Sequence, residues 1–117
     1  MHNYKELKVW SKAVELATAI YTLCSKFPTE EKFGLKSQMQ RCAVSIASNI
    51  AEGAGRDSNN SFKYFLSIAN GSSYELETQL LISKNIGFVE EENEQVIQAQ
   101  LTEIMKMIYM LSKSLDK

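Results

Sequence analysis

Proline is almost missing from this chain. Pro28 is the only one, and the five glycines sit at 34, 53, 55, 71 and 87, so long stretches run without a helix breaker. Histidine is equally scarce, with His2 alone near a terminus expected to fray. That scarcity removes histidine-based catalysis and the Glu-x-x-His pair of carboxylate-bridged di-iron bundles. Only two cysteines occur, Cys24 and Cys42, both inside apolar helical patterns and without metal-ligand spacing, so they are expected to be buried free thiols of a reducing compartment. No apolar run approaches the roughly 20 residues of a membrane span, and no charged-then-apolar leader opens the sequence. A cytoplasmic protein with no membrane partner is the expectation.

Charge of one sign is lacking too. Thirteen lysines and arginines face 14 acids, a formal net charge of -1, which excludes the global basic excess of a strong nucleic-acid binder and leaves only local contact open. At 117 residues the chain is long enough for one domain, residues 1 to 117, with a continuous core and no need of metal or disulfide staples.

What is present is helical periodicity. In the first segment Leu7, Trp10, Val14, Ala17, Tyr21 and Cys24 form one lane of threes and fours, and Val9, Ala13, Leu16, Ile20, Leu23 and Phe27 form a second. The two lanes together make a broad apolar arc, so this helix should be covered on two sides. Pro28 ends it, Thr29 is a candidate N-cap, and Gly34 marks a bend before a second helix over about Leu35 to Ala54. There Leu35, Met39, Cys42, Ile46 and Ile50 give a core lane, beside a ridge of small residues at Ala43, Ala47, Ala51 and Gly55.

Ser58 is the expected cap of a third helix whose core is Phe62, Phe65, Ala69, Leu76 and Leu80. Its solvated lane is Lys63, Asn70, Glu77 and Lys84, and Gly87 should close it. Glu90 to Glu92 suit the positive end of a fourth helix, with Ile97, Leu101, Ile104, Ile108, Leu111 and Leu115 as its core. Short connections imply an all-α, antiparallel, up-down-up-down four-helix bundle, and the heptad spacing implies left-handed packing. The glycine-rich stretch at 53 to 56 follows a helix and lacks the strand, lysine and hydroxyl of a phosphate loop.

No nucleophile, base and orienting group converge, so neither an enzyme nor a cofactor is expected. The informative feature is a polar stripe on the second helix, Gln38, Arg41, Ser45, Asn49, Glu52 and Arg56, running beside the core lane. Glu75 on the third helix shares a lane with Ile68 and Ile82 and therefore should need a partner. In an antiparallel hairpin its partner is predicted to be Arg41, in an ion pair flanked by Gln38, Ser45 and Asn49. Two readings of the stripe stay open: a network that fixes helix register or a subunit contact, and a groove for a ligand or RNA. The broad first arc, the alanine ridge and the apolar Met105, Met107, Tyr109 and Met110 on the fourth helix point to an oligomer.

Residues 31 to 56, "EKFGLKSQMQRCAVSIASNIAEGAGR", and 65 to 80, "FLSIANGSSYELETQL", resemble the proteins encoded within intervening sequences of bacterial 23S ribosomal RNA genes. The likeness runs from about Tyr4 to Leu115 and includes "KVW" around Trp10, Phe27-Pro28 and Gly34-Leu35. It implies an antiparallel bundle that assembles with itself as a ring, commonly a homopentamer, and associates with structured RNA or ribosomal material. Those proteins are similar in turn to accessory proteins of diversity-generating retroelements, which are basic, unlike this chain. The family pattern often has alanine at Cys42, proline at Ala47 and a basic residue at Asn70. The expectation is a non-enzymatic oligomeric bundle, RNA-associated through Arg41, Arg56 and Lys63, against the alternative of a protein-interaction scaffold that binds no nucleic acid.

Overall fold

The computed structural model describes residues 1–116. Four helices make up the molecule: α1 (Lys8–Cys24), α2 (Leu35–Ala54), α3 (Asn59–Asn85) and α4 (Glu91–Ser114). Single 3-10 turns lie at Tyr4–Glu6 and Thr29–Glu31, and no strand occurs among the described residues.

Local chemistry sets the helix ends. Ser58 Oγ accepts from the Ser61 amide at 3.1 Å, capping α3 as its type and position predict. At the other end Gly87 adopts φ 86°. The Gly87 amide donates to the Lys84 carbonyl at 3.1 Å and the Phe88 amide to that of Ser83 at 2.9 Å, the paired bonds of a Schellman stop. Thr29 is not a cap for α2. It begins the 3-10 turn; the N-cap position of α2 is Gly34, and the first helical amide, that of Leu35, donates to Glu31 Oε1 at 3.0 Å.

The core is one continuous cluster with Leu16, Ile20, Met39, Ile46, Ile50, Phe62, Leu66, Leu80, Leu101 and Ile104 at its centre. On α1 the buried lane is Val9, Ala13, Leu16 and Ile20, closed by Cys24 and Phe27. The other lane is uneven, with Trp10 and Ala17 packed against the core but Val14 and Tyr21 exposed. On α3 Leu66 takes the fully buried place expected for Phe65, which is only half-buried. Cys42 is likewise half-buried, whereas Cys24 is fully enclosed.

Pairs across the helices run in opposite sequence order, as antiparallel neighbours require. Along α2 and α3 the hydroxyls of Ser45 and Ser72 lie 2.9 Å apart, and Cys42 faces Glu75. Gly53 marks a close approach of α2 and α3, because a Cβ there would stand 2.8 Å from Phe65 Cβ and 2.9 Å from Phe62 Cδ1.

Along α3 and α4 the expected solvated lane turns out to be a seam. Lys63 pairs with Asp116, Gln98 Nε2 donates to Glu77 Oε2 at 2.6 Å, and Lys84 lies 3.6 Å from Glu91. Long polar side chains at heptad spacing flank a helix interface, covering it with their stems while the heads pair. His2 is not free either: its amide donates to the Ala54 carbonyl at 2.7 Å and its ring lies 5.0 Å from that of Phe62.

Candidate functional site

Polar residues on the facing sides of α2 and α3 create an open groove of about 390 Å³ lined by Gln38, Arg41, Cys42, Ser45, Ser72, Glu75 and Gln79. Hydrogen bonds within α2 and between α2 and α3 order its polar side chains. Asn49 Nδ2 donates to the Ser45 carbonyl at 2.8 Å and to Ser45 Oγ at 3.0 Å, and Ser45 Oγ meets Ser72 Oγ. One turn along, the Cys42 thiol donates to Glu75 Oε2 at 3.7 Å. Burial pushes the Cys42 thiol pKa up, with Gln79 acting in the opposite sense and Glu75 in the same sense. That direction disfavours the thiolate, the form in which a cysteine acts as a nucleophile.

The groove brings Gln38, Arg41, Ser45 and Glu75 together, with Asn49 at its edge. The Arg41–Glu75 ion pair, however, is not formed. The ion pairs among the described residues are Lys12–Glu103, Arg56–Glu52, Lys63–Asp116 and Lys84–Glu91. Two physical reasons account for this. The hairpin register sets Glu75 against Cys42 and not its neighbour Arg41. Glu75 is also exposed, in a lane whose Ile68 is half-buried and whose Ile82 is 45% exposed, so burial does not oblige it to find a cation.

Arg56, Glu52 and Lys63 lie outside the groove. Arg56 Nη2 stands 2.8 Å from Glu52 Oε1, and its guanidinium carbon is 4.6 Å from the Phe65 ring centroid. Lys63 belongs to the α3–α4 seam through Asp116. Three lining residues escaped the stripe reading: Cys42, Ser72 and Gln79. For two of them a signal existed, since Ser72 and Gln79 stand three before and four after Glu75, on the same helical face.

A different surface lies on the outer side of α1 and α2. Val14, Ala17, Tyr21, Val44 and Ala47 line a shallow groove of about 360 Å³, with Val14 38%, Val44 42% and Tyr21 48% exposed. Among the described residues no group of three or more His, Cys, Asp or Glu side chains could hold a metal. No helix is long and apolar enough to cross a membrane.

Comparison with known proteins fits this architecture. The family model for the 23S rRNA-intervening sequence protein matches residues 5–110. The chain belongs to that family. A crystal structure at 1.70 Å resolution, of a protein of unknown function from the S23 ribosomal protein family of Bacteroides thetaiotaomicron, superposes with a TM-score of 0.84. The two are 27% identical over 90% of this chain and 98% of the other. No curated protein matches the chain. The intervening-sequence family is thus joined here to an all-helical fold with four long helices and a polar α2–α3 groove.

Proposed function

We propose that this family member works as a non-enzymatic, self-associating helical module of the cytoplasm that attaches to RNA or ribosomal material as an assembly, a ring of five copies. The observation that carries self-association is the apolar α1–α2 face, where Val14, Tyr21 and Val44 remain exposed side by side. A contiguous apolar surface of this kind is stabilised by burial at about 25 cal/mol per Å². A second copy is the occupant that every solution of the protein supplies. The family's tie to 23S rRNA genes supports RNA as the material held.

Light scattering tests the first half. The wild-type chain should run at a multiple of its 13.2 kDa subunit mass, and Val44→Glu should lower that multiple. A monomeric wild type overturns the reading. The second half is tested by the ultraviolet ratio of protein purified from its own host and by salt-sensitive retention of RNA.

A second reading, a protein scaffold without nucleic acid, is favoured by one specific observation. Arg56 and Lys63, two of the three basic residues expected to meet RNA, are each paired with an acid of their own chain. An assembled protein free of nucleic acid at low salt decides for the scaffold.

A further inference from the structure

We infer that the α2–α3 groove receives one guanine base, with Glu75 accepting from its N1–H and N2 amino group and Arg41 donating to its O6 and N7. The inference rests on the attachment to RNA proposed above and names the chemical group that this groove takes. Arg41 and Glu75 line the groove from opposite walls, both are exposed, and neither has an ionic partner among the described residues. The groove lies on a different side of α2 from the apolar face shared with α1.

Polar residues follow one another along the groove. Ser45 and Ser72 meet across it at one end, and Cys42 faces Glu75 one turn along. Gln38 on α2 and Gln79 on α3 stand a further turn beyond. Gln79 Oε1 is buried and has no hydrogen-bond partner among the described residues. A buried acceptor without a donor is uncommon in folded proteins, and a guest rich in N–H groups supplies one when the amide turns toward it. The volume of about 390 Å³ stands at the lower end of ligand sites, which suits one flat heterocycle and not a folded segment.

The groove's charge selects the guest. One cation beside one anion gives no net attraction to a phosphate chain, so a base edge is what the groove can read. Among the four RNA bases guanine alone carries two adjacent donors, N1–H and the N2 amino group, beside two adjacent acceptors, O6 and N7. A guanidinium fork matches O6 and N7, and a carboxylate accepts both donors in a bidentate, charge-assisted pair. Uracil offers a single ring donor between two carbonyls, and adenine and cytosine offer one amino group each. Glu75 reaches N1–H only where the Watson–Crick edge is open, which restricts the site to nucleotides outside a duplex.

Single-stranded heptamers test this by fluorescence anisotropy: six uridines with G, A, C or U at the centre, each titrated with the full-length protein. The G heptamer should bind about tenfold or more tighter than the others, the worth of one bidentate contact to a base. Glu75→Gln should bring the four affinities together while the helical circular dichroism stays unchanged, the side chain being exposed. Guanosine monophosphate, titrated against the wild type and Glu75→Gln, separates the two sources of the base. A free nucleotide that binds and is lost in Glu75→Gln, with no heptamer bound, upholds the guanine site for a nucleotide and not for RNA. Four heptamers bound alike by the wild type, or a G preference that survives Glu75→Gln, overturn the inference and leave RNA attachment standing. If neither heptamer nor nucleotide binds, the guanine site is overturned, and retention of host RNA alone then decides on attachment.

Discussion

Gly53 offers the most direct test of how α2 and α3 meet. In Gly53→Ala the added methyl stands 2.8 Å from Phe65 Cβ, 2.9 Å from Phe62 Cδ1 and 3.2 Å from the Phe62 carbonyl oxygen. Carbon pairs prefer about 3.5–4.0 Å. Phe65 Cβ rides on the backbone and cannot rotate away, and Phe62 is enclosed in the core at 1% exposure. The two helices must therefore part, which places the cost near the upper end of overpacking, about 3 kcal/mol. Alanine returns about 1 kcal/mol of helix propensity. The net is a loss of about 2 kcal/mol.

An unfolding entropy of about 2.1 cal/mol/K per residue gives about 0.25 kcal/mol/K for a chain of 117 residues, so the melting temperature should fall by about 8 °C. Gly55→Ala is the internal control two residues on. Its Cβ would meet only carbonyl oxygens at 3.6 and 3.8 Å, and its φ of −82° suits alanine. It should gain about 0.4–1 kcal/mol. Both variants are to be melted at one subunit concentration, since assembly shifts the apparent stability. A Gly53→Ala protein that melts with or above the wild type refutes the close approach.

Other outcomes follow from single contacts. Ser58→Ala removes the cap of α3 and should cost about 1 kcal/mol by urea titration, with Ser58→Asp retaining most of the stability. Burial pushes the Cys24 thiol up from 9.0 to about 11. Between those values the unfolded chain releases the proton that the folded chain keeps. Its stabilising contribution is therefore whole below pH 9 and is lost as pH rises toward 11, by at most about tenfold in the folded-to-unfolded ratio per pH unit. Cys24→Ala should flatten that part of the pH profile relative to the wild type. Lys63→Ala breaks only a partly exposed ion pair with Asp116, so it should change stability by less than about 1 kcal/mol in a thermal melt.

Helix ends were the most legible part of the sequence, because capping chemistry is local. The Leu35–Ala54 span, the Ser58 cap and the Gly87 stop each follow from a few adjacent residues. Side-chain exposure across helices was less legible. Phe65 and Leu66 are neighbours of similar hydrophobicity, and their type alone does not say that Leu66 is enclosed while Phe65 lies against Gly53 and under Arg56. Lys63, Glu77 and Lys84 look solvated by type, yet their partners, on α4 or just beyond its end, lie 53, 21 and 7 residues away in sequence. The groove was half visible: its α2 wall stood out as a polar stripe, while Ser72 and Gln79 on the α3 wall were hidden among other polar residues. A small error in the register of one hairpin was enough to exchange Cys42 for Arg41 as the neighbour of Glu75.

Charge bookkeeping within the chain bears on how the two halves of the proposed function connect. Lys12, Arg56, Lys63 and Lys84 are engaged by acids of their own subunit, and the whole chain carries a net charge of -1. A single copy with no net positive charge is therefore expected to hold a polyanion weakly. Several copies joined in one assembly present the same unpaired cations repeatedly, and linked weak contacts gain by effective concentration without any new chemistry. RNA retention should accordingly fall together with assembly mass in Val44→Glu, although Val44 carries no charge and touches no phosphate. Retention that survives in a Val44→Glu protein shown by light scattering to be monomeric would mean that one subunit suffices, and would separate RNA binding from assembly.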